Sequence, residues 1–202
     1  MMHLTGKERD WVLYDVGNSA FVMLTATVIP ICFKNVAEGT GMSAADSTAY
    51  FSYASSLVTV IAAVLGPVLG AVADMKGFKK PVFACFMGIG VLGCAMLGIP
   101  AGWLLFLGIY VIAKVGYQGS LTFYDSMLTD VTTDDRVDQV SAHGYAWGYI
   151  GSCIPFVISI LLILYAEPLG LGSTKAAALV FAFNAVWWFV LTLPLLRSFE
   201  QI

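Results

Sequence analysis

The chain has 202 residues, of which 59% are hydrophobic and only 11% are charged, a composition that excludes an ordinary soluble domain. We therefore expect a lipid bilayer to be the solvent for most of the chain. The net charge of −3 carries little information about partners in such a protein, and no nucleic-acid partner is expected.

Six continuous apolar runs follow one another, each long enough for a helix to cross about 30 Å of hydrocarbon. We predict membrane-spanning helices at 11–33, 49–73, 82–99, 103–128, 141–165 and 176–196, forming one bundle over 1–202. A closed barrel would instead show short segments of alternating polarity, so the predicted fold class is an all-α membrane protein. The first run follows a polar start and is too long for a cleaved signal, so we expect it to remain as an anchor.

The positive charges indicate the orientation of the bundle. If the amino terminus is cytoplasmic, seven lysine and arginine residues lie on that side and two outside. The seven are Lys7, Arg9, Lys76, Lys79, Lys80, Arg136 and Arg197, and the two are Lys34 and Lys175. By the positive-inside rule, both termini are expected in the cytoplasm.

Two predicted helices, the first and the fourth, carry polar side chains at helical spacing within the apolar region. Charged groups are costly there and usually functional. Lys114 lies about 16 Å into the bilayer, near its midplane, because each helical residue advances about 1.5 Å. The candidate residues of a substrate or proton cavity are Asp15, Asn18, Ser19, Lys114, Gln118, Thr122 and Asp125.

Helices one and four are equivalent when a transporter half is built from two inverted three-helix repeats, so we predict that their polar faces share one cavity. Two alternatives stay open. Lys114 and an acidic residue would form a buried structural pair, or Asp15 and Asp125 would extend to the cytoplasmic edge. Protonation of either aspartate would couple transport to a proton gradient, although no sequence feature establishes coupling.

Small residues recur on one face of the second and of the fifth predicted helix. The face of the second helix comprises Ser52, Ser56, Thr59, Ala63, Gly66 and Gly70, and that of the fifth comprises Ser141, Gly144, Gly148 and Gly151. Small faces allow close helix approach, and we favour ordinary tight packing over a moving seam.

No catalytic or metal-binding pattern is present. The four cysteines and two histidines lack metal-like or redox-like spacing, and there is no zinc-protease helix, nucleophile elbow or Walker loop. We therefore expect no enzyme activity, no cofactor, no metal and no ATP-driven transport by this chain.

The loop after the second helix resembles the signature loop of the major facilitator superfamily. Gly70, Asp74, Gly77 and Lys79 match that pattern and Lys80 adds charge, whereas Met75 and Phe78 stand where two basic residues are usual. In the family this loop latches the two halves. The predicted gating residues are Gly70, Asp74, Gly77, Lys79, Lys80 and Arg136, with Asp74 near a helix amino terminus or near Arg136.

Two stretches, 8–20 and 116–128, together with the run from Arg136 to Gly151, look like the vacuole-effluxer-like, autophagy-related branch of that superfamily. The resemblance implies two inverted three-helix repeats and export of a small polar solute, with amino acids as suspected substrates. Lys114 stands where an uncharged polar residue is expected in relatives. An anionic or zwitterionic solute would suit its ammonium.

Family members have twelve or more helices, so the resemblance covers an amino-terminal six-helix half. A second six-helix bundle is the expected partner, and a missing carboxy-terminal half is favoured over a second copy. The resemblance to bacterial members places the chain in the bacterial cytoplasmic membrane. The alternative function is a six-helix assembly module, or a self-associating half, with no transport activity alone.

Overall fold

The computed structural model describes residues 3–100 and 102–201, and every regular element in them is a helix. The helices are α1 Gly6–Ala26, α2 Val28–Glu38, α3 Ala44–Ala73, α4 Lys79–Met96, α5 Trp103–Val131, α6 Val137–Leu164 and α7 Gly172–Ser198. Helices α1 and α2 together form the first of six spans that are long and apolar enough to cross a membrane. The predicted fold class is thereby confirmed, and the chain is an integral membrane protein.

The first span is broken at Thr27, where the sequence predicted one helix. The backbone of Thr27 departs from helical geometry, with φ of −131° and ψ of −70°. Pro30 explains the break, because proline lacks an N–H and its ring clashes with the carbonyl four residues earlier, that of Ala26. The Thr27 hydroxyl donates to the carbonyl of Met23 at 2.6 Å, which satisfies one of the acceptors released there.

Several helices begin about one turn earlier than hydropathy predicts, because their first turns are polar. At the start of α1, Thr5 accepts a hydrogen bond from the Glu8 N–H, and the Glu8 carboxylate accepts one from the Thr5 N–H. This capping box satisfies two amides that have no partner within the helix. At the start of α3, the side chain of Ser43 accepts from the N–H of Asp46.

The packing of the helices follows a two-fold pattern. Helix α1 packs against α6 and α7, helix α5 packs against α3 and α4, and α4 packs against α7. Exchanging the first three spans for the last three leaves these pairings unchanged, whereas the packing of α6 against α7 has no comparable counterpart between α3 and α4. This arrangement matches two three-helix repeats in which α1 and α5 are equivalent, as expected for half of a major facilitator fold.

An aromatic cluster fixes α1 and α5 against α7. Trp188 of α7 is fully buried, and its ring stacks on Phe21 of α1 with centroids 5.4 Å apart. Tyr117 of α5 meets the same indole edge-on at 6.0 Å. Buried aromatic pairs of this kind add to the stability that area burial gives. The two helices that carry the polar residues are thus held in one register.

The two small-residue faces differ in their packing. On α6 the three glycines of the face are buried against α1, which agrees with tight packing. On α3 the prediction of tight packing is wrong within this bundle, because Ser52, Ser56, Thr59 and Ala63 are exposed. No described atom outside α3 comes within 4 Å of a Cβ built at Gly66 or Gly70.

Candidate functional site

A cavity of about 520 Å³ lies between α1, α5 and α6. It combines carboxylates, hydroxyls and an amide with five aromatic rings. The lining residues are Trp11, Asp15, Asn18, Ser19, Val22, Met23, Tyr117, Leu121, Tyr124, Asp125, Leu128, Ser141, Tyr145, Tyr149 and Ser152. Four of the seven predicted cavity residues, namely Asp15, Asn18, Ser19 and Asp125, therefore share one site.

The wall formed by α1 is polar and closely packed against α6. Asn18 is buried, and its side-chain amide donates to the Tyr14 carbonyl at 3.2 Å and to Asp15 Oδ1 at 3.3 Å. A Cβ built at Gly148 of α6 would lie 2.8 Å from Asp15 Oδ2 and 3.0 Å from Ser19 Oγ. A side chain at position 148 would therefore force the Asp15 carboxylate to move.

The wall formed by α5 presents an acid beside an ordered aromatic pair. Asp125 is exposed to the cavity, and Tyr124 precedes it. The ring of Tyr124 stacks on Trp11 with centroids 4.3 Å apart and planes at 11°. The Trp11 indole N–H also donates to the Tyr124 carbonyl at 3.0 Å. Two independent contacts thus fix the α1 and α5 sides of the cavity relative to each other.

The structure places Gln118 and Thr122 outside this cavity. Both line a second recess of about 230 Å³ between α3 and α5, together with Ala62, Leu65, Gly66, Leu69, Val115 and Gly119. On a helix each residue turns by about 100°, so the polar stripe of α5 is wide enough to border two adjacent clefts. The single shared cavity expected from the sequence is therefore two clefts, and only the larger contains carboxylates.

Lys114 borders neither cleft. Its ammonium donates to Thr25 Oγ1 at 3.3 Å and lies 4.7 Å from the centre of the Tyr117 ring. Among residues 3–100 and 102–201, the ion pairs do not include Lys114. The alternative of a structural pair between Lys114 and an acidic residue is thus wrong for the described residues, and a hydroxyl and an aromatic face take the place of the acid.

At the end of the bundle where α1 begins, Glu8 is an important residue that sequence reasoning missed. The Glu8 carboxylate is 1% exposed and accepts two hydrogen bonds from the Arg136 guanidinium, each 2.8 Å long. It accepts a third from the Thr132 hydroxyl at 2.7 Å. The hydrogen bonds with the Glu8 carboxylate raise the pKa of Arg136 above its ordinary value. The signal was available, because Thr5 and Glu8 have the spacing of a capping box.

The predicted gating loop is fastened to the segment that follows α7. Gly77, with φ of +84°, turns its N–H toward Gln201 Oε1 at 2.7 Å. The Lys80 ammonium donates to the Phe199 carbonyl at 3.2 Å. Asp74 ends α3 in an exposed position, and Arg136 contacts Glu8 rather than Asp74. The pair of Asp74 and Arg136, one of the two expected placements of Asp74, is therefore absent from the described residues.

Lys79 of the same loop is buried, unlike its neighbours. Its ammonium lies 2.6 Å from Asp130 Oδ2 and 2.9 Å from the Ser126 carbonyl, and both partners belong to α5. The side chains of Lys79 and Asp130 are only about a tenth exposed, at 10% and 9%. The loop is consequently bonded to the end of α5 as well as to the segment after α7.

Comparison with known proteins gives two matches. The model of the family described as "Vacuole effluxer Atg22 like" matches residues 44–139 and 129–201. The chain is also similar to the uncharacterized MFS-type transporter YxiO of Bacillus subtilis strain 168, with 44% identity over 206 residues. That match covers 100% of this chain and 48% of the relative, so the chain spans about half the length of that protein. No solved structure matches.

Proposed function

The chain belongs to the Atg22-like vacuole effluxer family of the major facilitator superfamily, and from that premise we propose that it forms the substrate-binding half of a secondary transporter for a small polar solute. The observation that carries the proposal is the cavity between α1, α5 and α6. Carboxylates and amides are costly inside a membrane bundle, and their usual role there is to bind a solute or an ion.

Transport would proceed by alternating access, with this bundle rocking against a second bundle around the bound solute. A site at the contact of two equivalent helices suits this motion, because α1 and α5 hold the solute from both repeats. Amino acids, suspected from the resemblance, are one class of solute to test. We further propose that the membrane is the bacterial cytoplasmic membrane, with both termini in the cytoplasm, in agreement with the distribution of lysine and arginine.

The proposed partner is a second six-helix bundle, in the same polypeptide or in a second copy. The exposed small-residue face of α3 supports this proposal, because small faces are the surfaces on which membrane helices approach closely. The molecular mass of the purified protein in detergent distinguishes the two arrangements. A self-associating chain is a two-fold dimer, and an assembly module without transport activity gives no flux in either state.

The experiment that tests the function is solute counterflow in proteoliposomes, with the protein purified at the length in which cells make it. We expect flux for the native protein and its loss on Asp15→Asn or Asp125→Asn, because each change removes a carboxylate from the cavity. Asp134→Asn is the control, since that carboxylate is exposed in the loop before α6. Flux that persists in both cavity variants refutes the role of the cavity.

A further inference from the structure

We propose that the cavity between α1, α5 and α6 selects an organic cation with a protonated amine, held by Asp15 and Asp125 and covered by aromatic rings. This inference rests on the proposed function and gives the substrate class of that site. It differs from the anionic or zwitterionic solute that Lys114 suggested at the level of the sequence.

The cavity has an acidic lining. Its lining contains two carboxylates, those of Asp15 and Asp125, and no lysine, arginine or histidine among the described residues. Lys114 does not line the cavity, and its ammonium donates to Thr25 and lies 4.7 Å from the centre of the Tyr117 ring, which does line it. Two like charges that share a site repel one another, and a cation placed between them removes that repulsion. A carboxylate on the solute would add a third negative charge.

Five aromatic rings also line the cavity. Trp11 and the tyrosines at 117, 124, 145 and 149 all border the cavity. The negative face of such rings attracts an ammonium group, which is how aromatic cages bind organic cations. Tyr145 and Tyr149 lie one turn apart on α6 and are 67% and 72% exposed, so their rings are free to cover a bound solute. Trp11 and Tyr124, which stack on each other, form the fixed side.

The Tyr124 hydroxyl has no hydrogen-bond partner in the described part of the chain, and this favours a protonated amine over a quaternary ammonium. Tyr124 is 3% exposed, and its hydroxyl makes no hydrogen bond within the described part of the chain. The oxygen has less than 1 Å² of accessible surface, so a ligand in the cavity reaches it only when the Tyr124 ring shifts, and because buried polar atoms are nearly always satisfied, an amine bound at this wall would satisfy it. An N–H group of an amine would donate to this oxygen. A quaternary ammonium has no N–H to donate.

The test measures binding to the purified protein in detergent by titration calorimetry. The ligands are phenethylamine, phenylalanine and 3-phenylpropionate, which share a phenyl-alkyl skeleton and carry charges of +1, 0 and −1. We expect phenethylamine to bind at least about tenfold more tightly than phenylalanine, and 3-phenylpropionate not to bind. Equal or tighter binding of the zwitterion or the anion, or no binding by any of the three, overturns the proposal.

The variants test the assigned atoms. Asp15→Asn and Asp125→Asn should each weaken phenethylamine binding by about tenfold or more, while Asp134→Asn leaves it unchanged. Tyr124→Phe should weaken phenethylamine binding several-fold but leave N,N,N-trimethylphenethylammonium binding unchanged, because only the amine donates to the hydroxyl. Unchanged phenethylamine affinity in both aspartate variants overturns the proposed contacts, and an equal loss for both ligands in Tyr124→Phe overturns the role of its hydroxyl.

The binding series tests the substrate class and the flux assay tests transport, so either proposal can be refuted without the other. A protein that binds phenethylamine but gives no counterflow refutes transport and keeps the cation site. If the protein transports phenylalanine and does not bind phenethylamine, the proposed transport stands and the proposed substrate class is refuted.

Discussion

Replacing Gly148 by alanine should damage the cavity, whereas the same replacement at Gly108 should not. A methyl group at position 148 would lie 2.8 Å from Asp15 Oδ2 and 3.0 Å from Ser19 Oγ, closer than ordinary van der Waals contact. At Gly108, within α5, no described atom outside the helix lies within 4 Å of that methyl position. The two variants thus share a chemical change and differ in what the new group meets.

The size of the effect follows from two opposing contributions. Overpacking typically costs about 1–3 kcal/mol, and alanine is favoured over glycine in a helix by about 1 kcal/mol. Gly148→Ala is therefore expected to lose up to about 2 kcal/mol of stability, and Gly108→Ala to gain up to about 1 kcal/mol. At about 2–4 °C per kcal/mol for a chain of this length, Tm falls by up to about 8 °C in the first and rises by up to about 4 °C in the second.

Thermal unfolding in detergent, followed by intrinsic fluorescence, measures the Tm of both variants. Titration with phenethylamine then reports the position of Asp15, since displacing its carboxylate should weaken binding by about tenfold. Gly108→Ala keeps the native affinity. Equal Tm values and equal affinities for the two variants would show that α1 does not approach α6 at Gly148 as closely as the structure has it.

Three further predictions concern charges outside the cavity lining. Lys79→Met removes the ammonium 2.6 Å from the Asp130 carboxylate and should lower the unfolding free energy by about 3 kcal/mol. Lys76→Met, in the exposed part of the same loop, should leave Tm unchanged. Equal Tm values for the two variants would contradict a buried pair of Lys79 and Asp130. Glu8→Gln should speed tryptic cleavage of the loop before α6 several-fold, because it weakens the contacts with the Arg136 guanidinium. Glu200→Gln is the control and should leave the cleavage rate unchanged, since that side chain is 82% exposed. Lys114→Met should leave Tm unchanged or higher, because no described carboxylate pairs with this ammonium. It should change the affinity for phenethylamine by less than about twofold. A loss of affinity of about tenfold or more would place Lys114 at the solute.

The six spans could be predicted from hydropathy because a bilayer imposes a minimum length on every apolar run. The break at Thr27 could have been predicted too, since Pro30 lies inside the first run and removes a helical hydrogen bond. Hydropathy gave no reason to divide that run, because both halves of it are apolar. The early start of α3 was missed for the opposite reason, since its capped first turn is polar.

The small-residue face of α3 shows what one sequence cannot reveal about packing. Serine, threonine, alanine and glycine at helical spacing indicate that a helix can be approached closely, but they do not say by which partner. On α6 the same pattern contacts Trp11, Asp15 and Val16 of α1. On α3 the serine, threonine and alanine positions of the face are exposed, and Gly66 borders the recess toward α5 without a described atom outside α3 within 4 Å of a Cβ built there.

The division of the polar residues between two clefts follows from the repeat. Exchanging the two three-helix repeats carries α1 onto α5 and α6 onto α3, so the recess between α3 and α5 is the counterpart of the cavity beside α1 and α6. The sequence places polar side chains on both equivalent helices, and helical spacing alone cannot tell which cleft each one faces, because neighbouring faces of α5 border both. The chemistry is nevertheless unequal. Both carboxylates and all five rings lie in the larger cavity, whereas the recess has one amide and one hydroxyl, those of Gln118 and Thr122. A bundle whose main helix pairings are two-fold thus has one cleft suited to a cation, because the carboxylates of α1 and α5 and the tyrosines of α5 and α6 border the same cavity.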